Sequence, residues 1–393
     1  MMESEDLRGQ FDRLQRGALL AGAAALLVCG YGLAADRAQF FQSYLYAFVF
    51  WTGLALGSLA LLMVHHLFGA GWGFIVQRVF EAATRTFPLL ALLFVPLLFG
   101  LHDLYEWTHA EAVAADATLQ HKAPYLNVPF FVGRAAFYLA LWVGAGFLLS
   151  KMSRELDGSR DPHLALRLRN LSAPGLLVFG LTATFASVDW VMSLEPHWFS
   201  TMFGLISIGG QVLGALALAI LVATKLSAHP PLSESARPQH FHDLGNLLLA
   251  FTMIWAYLSF SQFLIIWSGN LPETIFWYQH RSTGGWETLA LGLVALNFAL
   301  PFMLLLSRQA KRRAQTLAGI AALILAMRLA DLHWQIAPSF HPEGFRIAWL
   351  DAAAIAGIGG VWLAYFVHQL KSRPLLPEGD PRMQEAFAHA GEH

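Results

Sequence analysis

The chain has 393 residues, 56% hydrophobic and 13% charged, with a mean hydropathy of +0.50. An average soluble domain is about 25% charged, so an ordinary soluble enzyme and a disordered protein are both excluded. The net charge of −1 leaves no basic footprint for nucleic acid. The one cysteine, Cys29, lies in an apolar run, which excludes a disulfide framework, a Cys-ligated iron–sulfur cluster and a CxxCH haem attachment within this polypeptide.

Runs of about 20 mostly apolar residues, long enough to cross a bilayer, predict an all-α polytopic membrane protein. In chain order they centre near Leu26, Leu56, Leu93, Leu141, Leu181, Ala215, Trp255, Ala295, Leu325 and Gly357. The first run is read as a helix rather than a secretory leader, because Glu3, Glu5, Asp6 and Asp12 precede it. Lys and Arg concentrate on the amino-terminal side of these spans: only Arg37, Lys122, Arg134, Arg281 and Arg346 fall on the other side, and Arg328 falls within a span. The positive-inside rule then places both termini in the cytoplasm. Outer connections are rich in Trp, Pro, His and acidic residues, and Trp107, Trp198, Trp277, Trp286, Trp334 and Trp349 fall near the outer boundary, the zone indole prefers.

A faint repeat relates Asp189-Trp190, Pro196-His197 and Gly209-Gly210 to His333-Trp334, Pro338 with His341-Pro342, and Gly359-Gly360. A four-helix offset preserves direction across the membrane. It predicts two parallel-repeat four-helix bundles, about 40–192 and about 200–338, with flanking helices about 16–35 and 346–369. Residues 1–373 then form one membrane domain. The polar tail 374–393 is expected along a partner or in solvent.

Ionisable groups inside a membrane are costly and therefore informative. The ninth span holds Arg328, Asp331 and His333; the first two are spaced to pair on one helix face. Asp189, Asp351, Glu287 and the group His102, Asp103 and Glu106 fall in or near the outer half. On the inner side lie His65 and His66, the stripe Arg78, Glu81 and Arg85, and His240, His242 and Asp243. Their plainer reading is a structural ion pair outside and a solvated, snorkelling rim inside. The sharper one is a proton route, with His65 and Asp243 as inner elements, hydroxyls such as Tyr257 and Ser261 in the seventh span between, and Asp189, Arg328, Asp331 and His333 outside. Most of the 16 histidines lie in connections or at helix ends, without the matched pair that haem b needs. No compact zinc spacing, Walker motif or nucleophile elbow appears.

Two stretches carry a resemblance. One is Ser187 through Ser200 (SVDWVMSLEPHWFS). The other runs from Asp243-Leu244-Gly245-Asn246 through Trp255, Tyr257, Phe260-Ser261-Gln262 and Trp267 to Asn270-Leu271-Pro272-Glu273, Trp277-Tyr278 and Arg281. Together with Arg78 and Glu81 they resemble the NrfD/polysulfide-reductase membrane-anchor family, in the form of the large membrane subunits of bacterial alternative complex III, a quinol:electron-acceptor oxidoreductase. The likeness implies ten helices in two bundles plus two flanking helices, a bacterial inner-membrane location, and no cofactor on this chain. It implies haem c and iron–sulfur clusters on partners, with quinol or menaquinol as the substrate of the complex. The implied partners are membrane lipid, a larger paralogue, an iron–sulfur protein, a multihaem cytochrome c subunit and other small membrane subunits.

Length and the short amino terminus suit the smaller of the two paralogues, a non-catalytic supporting subunit with a proton route. Two other readings stand beside it. One is direct quinol binding, with His333, Asp189 and Tyr257 as candidates. The other is an independent secondary transporter.

Overall fold

A computed structural model describes the backbone of residues 2–389 and the side-chain environments of 7–383, 386 and 387. The side chains of Glu3, Glu5 and Asp6, which bore on the leader reading, lie outside the described residues. Ten helices are long and apolar enough to cross a membrane: α1, Leu7–Ala35; α2, Arg37–Phe68; α3, Gly71–Leu98; α4, Val128–Ser159; α5, Pro162–Leu194; α6, Phe203–Leu226; α7, Pro238–Gly269; α8, Trp286–Leu306; α9, Ala314–Ser339; and α10, Trp349–Leu370. Each contains one of the ten predicted centres, and no strand occurs among the described residues.

The helix ends follow local chemistry. Asp36 caps α2 by accepting the Gln39 amide at 3.1 Å, and Gly69 ends it at φ 63°. Asn127 caps α4 through the Phe130 amide at 3.0 Å, and Pro162, whose missing N–H costs nothing in a first turn, opens α5. Irregularities also have causes. Residues Leu293–Ala299 of α8 widen to a π-helix just before Pro301, which has no N–H to return to the Asn297 carbonyl.

Burial ranks the helices. Within the most apolar window of each span, 83% of α2 is buried, against 22% of α7 and α8 and 17% of α1; α2 is therefore the central element, and α1, α7 and α8 are peripheral. Helix α2 packs on α3, α5, α6 and α10, and α6 packs on α2, α5, α7 and α9. The α2–α6 crossing depends on Gly57, where an added Cβ would sit 2.0 Å from the Gln211 carbonyl oxygen. Close backbone approach at small residues is how helices associate in lipid. Helices α1 and α10 run antiparallel against each other: Asp12 meets Lys371 at 2.6 Å, Gly22 meets Gly360, and Gly32 meets Leu350. Both chain ends therefore share one face of the molecule, called here the terminal face.

The polar tail departs from expectation. Its described residues fold back across the terminal face as a strap. Leu376 and Asp380 are each 2% exposed, Phe387 lies 4.8 Å from the His240 ring, and Gly379 rests on the α4 backbone, where a Cβ would fall 2.4 Å from the Asp157 Cα. Leucine and phenylalanine spaced through the tail supply the apolar contacts that hold it down.

Candidate functional site

At the terminal face the strap covers a buried charge cluster centred on Glu81 of α3. One carboxylate oxygen accepts from Ser153 Oγ at 2.6 Å and Gln77 Nε2 at 2.9 Å. The other accepts from Arg78 and Arg373, each at 2.8 Å. Arg78 also grips Asp157 with bonds of 2.5 and 2.7 Å, and Arg373 donates to the Ser150 carbonyl and hydroxyl. Two guanidiniums thus face two carboxylates. His65 Nε2 is 3.1 Å from Gln77 Oε1, extending the chain to α2, while both ring nitrogens of His66 are buried without a partner. Arg382 clamps the strap by donating to the His66 carbonyl at 2.9 Å and to Asp380. Burial alone would raise the Asp380 carboxyl, but the Arg382 guanidinium outweighs it and holds the group below the ordinary carboxylate range. The solvated-rim reading therefore fails for His65, His66, Arg78, Glu81 and His240, which are all buried.

Deeper in the molecule, α9 carries Arg328 and Asp331, 4% and 3% exposed, paired with each other one turn apart; Gln335 Nε2 donates to the same carboxylate at 2.8 Å. The guanidinium rests against Gly210 of α6, where a Cβ would lie 2.0 Å from it. Arg328 and Gln335, though not Asp331 itself, border a cleft between α2, α5, α6 and α9 with about 620 Å³ of atom-free space, its open mouth included, lined also by Thr52, Ser187, Ser207 and Gln211. The Thr52 hydroxyl and the side-chain amide oxygen (Oε1) of Gln211 are buried there without a protein partner, the arrangement internal water commonly satisfies. Towards the terminal face, α2 is apolar and buried at Leu59, Leu62 and Met63. Nine residues, about 13 Å of helix, separate Leu56 at the cleft from His65.

On the opposite face, Asp189 is fully buried and held by four hydrogen bonds from three side chains. Arg134 donates to it at 2.8 and 2.9 Å, Tyr125 at 2.9 Å and Tyr138 at 3.0 Å. The Arg134 guanidinium stacks 3.8 Å from the Tyr125 ring centre. A second knot joins Glu195, Arg281 and Ser339: Arg281 pairs with Glu195 at 2.7 Å and donates to the Gln335 carbonyl at 2.7 Å, and Ser339 donates to Glu195 at 2.7 Å. Full burial pulls the Arg281 guanidinium below its usual value, with Glu195 opposing the change. Both Asp189 oxygens are bonded, whereas in the second knot one Glu195 oxygen takes Arg281 and Ser339 and the other is buried without a hydrogen bond, 3.4 Å from His280 Nδ1. The two knots lock α4 to α5, and the turn after α5 to α9.

His333 lies apart from both. Its Nε2 is 3.0 Å from the Arg346 carbonyl oxygen, and its ring packs between Tyr46 and Trp286. It opens onto a pocket of about 310 Å³ with Gln39, Gln42, Tyr46, His341 and Asp351. Ser43 and the Ala348 amide hold the Asp351 carboxylate at 2.6 and 2.8 Å.

Of the eight residues expected along one route, only Arg328 and Asp331 bond to each other through their side chains. Tyr257 is 68% exposed on the outward side of α7, so it joins neither the Asp189 knot nor the His333 pocket, and the three residues expected to share a quinol do not meet. Ser261, one turn further along, is half-buried. Asp243 is half-exposed beside Gln239 and His242 on its own helix. His65 sits in the strapped cluster. The sequence reading missed Arg134, Arg373, Tyr46 and Thr52. Arg134 carried a usable signal, being the one charge in the apolar opening of α4; Arg373 carried none, since its partners lie more than 200 residues away.

A scan against protein-family models finds no match for this chain, and a search of curated proteins finds none.

Proposed function

We propose that this chain is an integral subunit of a bacterial respiratory quinol:electron-acceptor oxidoreductase of the alternative complex III type, serving as a scaffold and carrying a polar proton route. The observation that carries the route is the Arg328–Asp331–Gln335 cluster beside a cleft where the Thr52 hydroxyl and Gln211 Oε1 lack partners. Such polar groups are expensive in a bilayer unless they hold water or charge. The packing of α2 with α3 and α5, α3 with α4, and α4 with α5, matched by α6 with α7 and α9, α7 with α8, and α8 with α9, supports two four-helix bundles related as a parallel repeat. The resemblance and the basic bias of the terminal face support cytoplasmic termini and an inner-membrane location. The proposed partners are a larger paralogue, an iron–sulfur protein and a multihaem cytochrome c subunit, which would carry the redox centres.

In this reading the route follows α2, α5, α6 and α9 rather than α7. Asp331 is its central carboxylate, and the Glu81 cluster lies at its inner end. The apolar stretch Leu59–Met63 is the barrier that water would have to cross. The test is Asp331→Asn in the reconstituted complex. Proton translocation per electron should fall while quinol oxidation continues; unchanged stoichiometry removes Asp331 from the route, and isolation of the chain without any redox subunit removes the assignment.

Direct quinol binding is supported by the pocket where His333, Tyr46 and Asp351 meet. Bound quinone or a photoreactive quinone crosslink at these residues would favour that reading.

A further inference from the structure

Arg85 is the third member of the stripe that begins with Arg78 and Glu81, yet its surroundings differ. It is half-buried, and its side chain forms no ion pair or hydrogen bond among the described residues; nor does the exposed side chain of Arg154 on α4. The nearby carboxylates are taken: Glu81 by Arg78 and Arg373, and Asp157 by Arg78. The guanidiniums of Arg85, Arg154 and Arg373 lie close enough to act on one another, with Tyr365 of α10 beside Arg85. Two guanidiniums, Arg85 half-buried and Arg154 exposed, therefore stand together with no ion-pair partner of their own, and their mutual repulsion favours a bound anion.

Helix geometry shows where they look. Thr84 lies against Gly146 of α4 and Thr86 accepts the Trp362 indole of α10 at 2.9 Å, so Arg85 projects between the two neighbours. Pro88, Leu92, Val95 and Phe99 continue this side of α3 at helical spacing, all exposed, with Leu92 at 67% and Phe99 at 71%. Because α3 packs on both α4 and α10 while those two are not packed on each other, the stripe forms the floor of a groove open to lipid. The apolar run begins at Phe87, two residues past Arg85, which puts the guanidinium at the boundary between headgroups and acyl chains.

We infer that the terminal-face end of this groove is a seat for an anionic phospholipid, its phosphate between Arg85 and Arg154 and an acyl chain along Leu92, Val95 and Phe99. Basic pockets between helices recognise such headgroups through charge and two-pronged guanidinium contacts, and the apolar floor distinguishes a lipid from a free anion.

The test uses the full chain, delipidated in mild detergent and returned to phosphatidylglycerol or phosphatidylcholine, with bound lipid counted by native mass spectrometry. The wild type should retain phosphatidylglycerol in preference to phosphatidylcholine. Arg85→Gln with Arg154→Gln should weaken that retention about 30-fold, while Arg167→Gln with Arg169→Gln, exposed charges at the start of α5, should leave it unchanged. A photoreactive phosphatidylglycerol on the wild-type protein should label residues 85–99, a readout that needs no variant to fold. Equal retention of both lipids, equal loss in both double variants, labelling confined to other helices, or displacement by an equal concentration of inorganic phosphate would each overturn the seat.

Discussion

Glu81→Gln is the substitution with the most calculable outcome. The carboxylate is 2% exposed at its side chain and balances two guanidiniums together with Asp157. An amide keeps one acceptor oxygen but turns an NH2 towards groups that also donate, and it removes one negative charge. Arg78 retains its two bonds to Asp157. Arg373 loses its only carboxylate and keeps Ser150 alone. Stranding a buried charge costs about 3–5 kcal/mol. The lower end applies here, because Arg373 belongs to the strap and can escape to water if the strap lifts. About 3 kcal/mol corresponds to an open population raised roughly a hundredfold, since each 1.4 kcal/mol is about tenfold. Hydrogen exchange of the amides of 374–383, measured on the detergent-solubilised protein, should accelerate by about that factor. Arg373→Gln in the same chain restores the charge balance, so the double variant should be no worse than Arg373→Gln by itself. Exchange within about threefold of wild type in Glu81→Gln, or losses that simply add in the double variant, would refute the argued balance of charges.

Two further outcomes are expected. Gly210→Ala places a methyl 2.0 Å from the Arg328 guanidinium and should push it off Asp331, lowering the melting temperature in detergent; Gly209→Ala, whose nearest neighbour would be 3.7 Å away, should change it little, and equal effects would contradict the packing. The depressed Asp380 carboxyl stabilises the strap at every pH above the ordinary value of 3.8 and loses that contribution as pH falls through its folded value. Exchange of the strap amides, corrected for intrinsic rate, should be flat from pH 8 to 5 and rise steeply below about pH 4, and Asp380→Asn should remove the step.

The ten spans were legible because hydropathy is a local, additive property of about 20 consecutive residues. The Arg328–Asp331 pair was legible for a similar reason, its spacing placing both on one face of one helix. Partners on other helices were not. Asp189 looked like a member of the same outer group as Asp331, but Asp331 pairs with Arg328 and Gln335 on its own helix, and the Arg134 that neutralises Asp189 is 55 residues earlier. Tyr257 and Ser261 share a helical face, as their spacing required, yet that face turns outward at Tyr257, away from the other residues expected with it. The tail read as lying along a partner or in solvent because its polar composition says nothing of the distant cluster on which it packs.

Composition and periodicity alone therefore established a helical, multi-pass membrane protein, the number and order of its spans, and which residues would be too costly to leave in lipid. Tertiary structure alone decided how each helix is rotated about its axis, and with that which charges meet. Sequence spacing determines neighbours one turn apart, whereas the contacts of Glu81 with Arg373, Gly210 with Arg328, and Gly379 with Asp157 arise from helices brought together across 100 to 300 residues of chain.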